Sequence, residues 1–157
     1  MSPMPPNREF AFTIMDVARL LKTLADQRAR QFGMTRAQWG VLVRLDRSEG
    51  LKQSELAEIL DLQPISLTRL LDRLAQNGLI ERRPDPNDRR ANRLFLMPAA
   101  RPLLEKLSEL SNDLMATVLE NVPAKSVERM LTDLDTVKDN LRRAIGANSQ
   151  PQQAANG

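Results

Sequence analysis

The densest cluster of chemically useful side chains is the turn Asp85 to Ala91, which carries Asp88-Arg89-Arg90 at its centre. A guanidinium is planar, permanently charged and presents its donors as a fork, so it suits phosphates and base edges. An Asp two residues before an Arg can hold the guanidinium of Arg90 extended through a charge-assisted hydrogen bond, so that less entropy is lost on engagement. Upstream, Arg69 and Arg73 share one helical segment with Ser66 and Thr68, all off its Leu67/Leu70/Leu71/Leu74 stripe. Arg can bridge two guanine acceptors and is the commonest base reader. Gln63 and Pro64 open that segment, where unpartnered backbone amides favour a phosphate. The competing structural reading is a turn of solvated charges and a polar helix face on which Asp72 pairs with Arg69 or Arg73.

Other chemistry is poorly served. The chain has no Cys and no His, which removes thiolate and imidazole nucleophiles, general bases and metal ligands. No Gly-rich phosphate loop or carboxylate cluster stands out, so the sequence argues against an enzyme and calls for no cofactor or metal. The net charge of +3 permits an anionic partner. Its distribution is sharper. Residues 62 to 97 hold seven Arg against four acids, whereas residues 98 to 145 hold seven cations against eight acids. The positive excess surrounds the turn and the helix before it.

The positioning elements follow from periodicity. Apolar residues make up 41% and aromatics only 3%, which favours helices over a β-sandwich. Phe10, Ile14, Val17, Leu21 and Leu24 recur at steps of four and three and predict a helix to about Gln31, stopped at Gly33. Thr35 and Gln38 form a capping box for a second helix with Trp39, Leu42 and Leu45 inward. A third helix is expected over Gln53 to Leu60. The turn Asp61-Leu62-Gln63 then leads to Pro64, a favoured first helical residue, and that helix runs to Asn77 with Gly78 as its left-handed stop. Strand-like runs flank the basic turn, giving a hairpin. Pro98 opens a long helix to about Leu119, and a last helix with Val127, Met130, Leu134, Val137 and Leu141 in register runs to about Ala144. Residues 1–8 read as a flexible arm, 9–145 as a single domain and 146–157 as a disordered tail. With no secretory signal at the start and no run long enough to span a membrane, the expected location is the cytoplasm.

A helix, a tight turn, a second helix and a basic-tipped hairpin make a winged helix-turn-helix: mainly α with a small β-wing. The helix suits the major groove and the narrow tip the minor groove. Residues 39 to 104 resemble the MarR family of bacterial transcription regulators, and its SlyA-like branch in particular. The resemblance rests on Ser54-Glu55-Leu56-Ala57, on Gln63 to Leu74, on Asn77-Gly78-Leu79-Ile80-Glu81-Arg82 and on Asp85-Pro86-Asn87-Asp88-Arg89-Arg90-Ala91. It departs at Met97-Pro98, where family members commonly carry Leu-Thr with Thr as a helix cap worth about 1 kcal/mol.

The resemblance implies a homodimer whose first and last helices, residues 10–31 and 98–145, interlock around winged lobes at 35–97. It implies binding to a pseudo-palindromic operator in double-stranded DNA, repression, and release by a small anionic aromatic ligand. DNA contacts would come from Gln63, Pro64, Ser66, Thr68, Arg69, Arg73, Asp88, Arg89 and Arg90, with Arg90 in the minor groove. Trp39, which packing alone would also explain, could line an effector crevice with Arg19 and Arg28. The alternative is a winged helix that serves as a protein-interaction module without a specific operator; the charged tip argues against it.

Overall fold

A computed structural model describes residues 5–148. Contacts divide the chain into one unit up to Val118 and a second from Leu119. The first unit runs α1 (Pro6–Gln31), α2 (Arg36–Arg47), α3 (Gln53–Leu60), α4 (Pro64–Gln76), β1 (Ile80–Pro84), β2 (Asn92–Leu96), a single 3-10 turn at Pro98–Ala100 and α5 (Arg101–Val118). The second holds α6 (Ala124–Asn148). The architecture is mainly helical with a two-stranded antiparallel wing.

The core of the first unit is built from aliphatic side chains at helical spacing. Val41, Leu42 and Leu45 of α2, Leu56 of α3 and Leu67, Leu71 and Leu74 of α4 are buried together with Leu94 of β2 and Leu107 of α5. Each buried leucine contributes about 1.5–3 kcal/mol relative to an exposed one. The α2 start is as the sequence reads: the Thr35 side chain accepts from the Gln38 amide at 3.1 Å, and the Gln38 side chain accepts from the Thr35 amide at 3.1 Å. Gly78 takes a φ of 71°, a conformation that suits glycine, and lets the chain leave α4 directly into β1.

The hairpin pairs Ile80 with Leu96 through Pro84 with Asn92. It is sewn to the helix-turn-helix by the loop before α3. The Gly50 amide donates to the Leu94 carbonyl at 2.9 Å and the Leu94 amide to the Leu51 carbonyl at 3.0 Å. These bonds make the wing an extension of the lobe.

Several boundaries differ from the sequence reading. α1 begins at Pro6, so residues 6–8 of the expected arm form its first turn; proline is pre-organised for that position. Only the second half of α1 joins the core: Ala29 is buried, with Leu21, Leu24 and Ala25 against it, while Phe10, Ile14 and Val17 stay exposed. The long helix expected from Pro98 starts at Arg101 behind a 3-10 turn, and Met97 supplies no side-chain cap. α6 continues through Gly146 to Asn148, so the expected tail starts later; its remainder, 149–157, and residues 1–4 of the arm lie outside the described residues. None of the residues of α6 is buried, and Met130, Leu131, Leu141 and Ile145 are exposed. Among the described residues, no helix is long and apolar enough to cross a membrane.

Candidate nucleic-acid interface

α4 owes its orientation to its inward leucines, which leave Ile65, Ser66, Thr68, Arg69, Asp72 and Arg73 exposed. The chain enters α4 through Gln63, whose side chain makes no cap hydrogen bond. The first amides of the helix are therefore open to an anion, and the helix dipole favours one there. Asp72 pairs with neither Arg69 nor Arg73. Its carboxylate accepts from Arg82 of β1 at 2.7 Å, and the same guanidinium reaches the Thr68 carbonyl at 3.3 Å. Arg82 thus ties the wing to α4. Among the described residues, the guanidinium groups of Arg69 and Arg73 have no carboxylate partner. They border a small recess with Thr35 and Gln38 at the start of α2.

Thr68 is more committed than its exposure suggests. Its hydroxyl donates to the Pro64 carbonyl at 2.9 Å and accepts from Gln53 at 2.9 Å, which locks α3 against α4. Among the described residues, Ser66 makes no such side-chain bond. Of the two hydroxyls expected to face DNA, Ser66 is the freer.

The wing tip is organised by a residue that the sequence reading passed over. Asp85 is 3% exposed. Its carboxylate accepts from the amides of Asn87 at 2.8 Å and Asp88 at 3.2 Å, and from Arg93 Nε at 2.7 Å. Arg93 in turn reaches the Gly50 carbonyl at 3.3 Å. The amide bonds, above all that from Asn87, and the Arg93 guanidinium hold the Asp85 carboxyl below the usual carboxylate range, so it is ionised at neutral pH. Its signature in the sequence is an Asp just before Pro-Asn, which favours a turn through its own side chain, with an Arg placed across the hairpin to receive it.

Asp88 acts differently from the expectation. Its carboxylate accepts from the backbone amide of Arg90 at 3.0 Å, and no contact with the Arg90 guanidinium forms among the described residues. It fixes the path of the turn; the side chain of Arg90 is left free. Arg89 and Arg90 are both exposed. Arg90 borders an open groove of about 710 Å³ whose other walls include Gln53 and Ser54 of α3 and Pro64 of α4. The fold therefore brings the wing tip beside the N-terminus of α4, while Arg69 and Arg73 lie on another flank of that helix.

Trp39 is 8% exposed and lines a second crevice, of about 440 Å³, with Leu21 and Ala25 of α1, Gly40, Val43 and Arg44 of α2, and Ser111, Leu114 and Met115 of α5. Neither arginine expected beside it lines this space. Arg19 is exposed and faces Asp16 at 3.3 Å, because its position on α1 turns it away from Leu21 and Ala25. Arg28 lies a turn past Ala25, outside the lining. The cations present are Arg36, held by Asp26 at 2.8 Å, and Arg44, which has no carboxylate partner among the described residues. Among the described residues no group of His, Cys, Asp or Glu is arranged to hold a metal.

Residues 34–91 match the sequence model of the MarR family. Apo wild-type MarR from E. coli is similar at 28% identity and a TM-score of 0.68, over 87% of this chain and 98% of that one. A mutant of E. coli MarR complexed with operator DNA is similar at 28% identity and a TM-score of 0.66, over 82% of this chain and 93% of that one. A MarR transcriptional regulator from Methanosarcina mazei Go1 shares the fold, with 19% identity and a TM-score of 0.74 over 87% of this chain and 99% of that one.

Proposed function

We propose that this chain, whose residues 34–91 match the MarR family model, works as a homodimeric repressor of that family that binds a pseudo-palindromic operator and leaves it when a small aromatic anion binds. The observation that carries the DNA-binding reading is the juxtaposition of the free Arg90 guanidinium with the open N-terminus of α4, on a wing clamped by Asp85. A helix and a cationic tip carried on a fixed turn, on one side of a lobe, meet adjacent grooves of one duplex. An operator-bound mutant of E. coli MarR supports that reading. In this reading Gln63, Pro64 and Ser66 meet the backbone and base edges at the helix start. Arg69 reads a base from the exposed face, Arg73 and Arg89 hold phosphates, and Thr68 steadies α4. A regulator of this kind needs no catalytic group. The SlyA-like assignment rests on the same stretches as the family resemblance, Asp88-Arg89-Arg90-Ala91 among them, and belongs to this reading.

Selection from a random duplex library is expected to enrich an inverted repeat. Recovery of no common sequence would reject specific operator recognition and favour the protein-interaction module.

Homodimerisation is supported by the apolar residues left exposed on α1 and α6, among them Phe10, Ile14, Val17, Met130 and Leu141. Burying such faces contributes about 25 cal/mol per Å².

The effector reading keeps the crevice at Trp39 and takes Arg44, in place of Arg19 and Arg28, as the carboxylate partner. A ligand between α1, α2 and α5 releases DNA only if it binds the incompetent lobe spacing more tightly, and a tenfold loss of DNA affinity needs about 1.4 kcal/mol of such coupling. Salicylate-like anions are expected to change Trp39 emission and lower operator affinity together, and Arg44→Ala to blunt both effects without altering ligand-free DNA binding. Trp39 emission and operator affinity both unmoved by millimolar salicylate would reject this ligand class.

A further inference from the structure

We propose that Ile65 is a base-reading residue whose side chain packs against the 5-methyl group of a thymine in the major groove. The inference deepens the DNA-binding reading and rests on it. Ile65 is 67% exposed, whereas the leucines of the same helix at 67, 71 and 74 are buried. Burial of so small a part of the side chain contributes little to the fold. Nor does Ile65 fasten the entry to the helix. That position belongs to Leu62, the residue before the cap, which sits against the core together with buried Leu67 four positions into the helix.

What Ile65 does have is a place. It is the second residue of α4, next to Ser66 and one helical turn before Arg69, so it shares their outward face. It also adjoins the open amides that suit a phosphate. An apolar side chain between a phosphate-binding end and a guanidinium meets, in a major groove, one apolar feature only: the thymine methyl. A protein partner would offer Ile65 an apolar pocket instead, and the test separates the two.

The experiment uses the full chain and the duplex enriched from a random library, with each thymine replaced in turn by deoxyuridine, which removes the methyl and keeps the hydrogen-bonding edges. A methyl-sized contact is worth about 0.8 kcal/mol, or about fourfold in affinity. Wild-type protein is expected to lose about that factor for each half-site whose contacted thymine is replaced, and Ile65→Ala, which strips the contact from both subunits, to lose on the unmodified duplex about what replacement in both half-sites costs wild type. On Ile65→Ala the same replacement is expected to cost nothing further at that thymine, while Ile65→Val keeps part of the discrimination. Tight binding of Ile65→Ala with unchanged sensitivity to every deoxyuridine overturns the inference and leaves the DNA-binding reading standing. Losses that multiply at every thymine also overturn it, because Ile65 then acts without touching a methyl. Failure of the library to enrich any duplex removes both.

Discussion

Arg90→Ala is expected to lower operator affinity by about two to four orders of magnitude with no change in melting temperature. A charge-assisted hydrogen bond is worth about 1.5–3 kcal/mol. The proposed dimer loses it twice, so the deficit reaches about 3–6 kcal/mol, at about 1.4 kcal/mol per factor of ten. Stability is spared because the Arg90 side chain is exposed and only its backbone amide bonds to Asp88, a bond that Ala keeps. Binding titrations beside thermal melts check both halves, and near wild-type affinity would remove Arg90 from the interface. Asp88→Ala gives the complementary sign. It removes a negative charge from the proposed phosphate-facing surface, which by charge alone would tighten binding. It also frees the turn that sets where Arg90 starts. Weaker binding is expected, and tighter binding would show that charge, not the path of the turn, governs the wing.

The order of helices and the wing could be read from the sequence because each obeys a local rule. The Thr35/Gln38 box, Pro64 and Gly78 mark ends through backbone chemistry that acts within four residues. Leu67, Leu71 and Leu74 mark a face through the helical repeat. What escaped was long-range. Asp72 has two arginines within reach on its own helix, yet it bonds Arg82, ten positions away, because the hairpin folds back over α4. Asp85 reads as one more turn residue until Arg93 and Gly50 close around it. The surroundings of Trp39 are hidden for the same reason. Arg19 and Arg28 share α1 with Leu21 and Ala25, yet the cations that line the crevice are Arg36 and Arg44 of α2. Gly146 misled in the opposite direction: it reads as a stop, yet it keeps a negative φ and α6 passes through it. Tertiary contacts decide such cases, and a single sequence does not display them.

Inserting about 5 bp between the two halves of the enriched repeat is expected to reduce affinity by about two to four orders of magnitude. In the proposed dimer, one recognition helix per subunit enters the major groove on the same face, with half-sites about one helical turn apart. The added half-turn carries one half-site to the far side of the duplex, and the protein keeps a single lobe engaged. The loss then equals the advantage of joining two sites, about 10²–10⁴. An insertion of about 10 bp separates rotation from distance: it restores the face but moves the half-site about 34 Å further along the axis. A dimer held by packed helices cannot follow that far, so affinity stays low; two lobes on a slack tether would recover it. The structure favours the rigid outcome within each lobe, since Arg82 and Arg93 bind the wing to α4 and to the loop before α3. Affinity unchanged by the 5 bp insertion would mean that one lobe carries the binding alone, and the exposed apolar faces of α1 and α6 would then need another explanation.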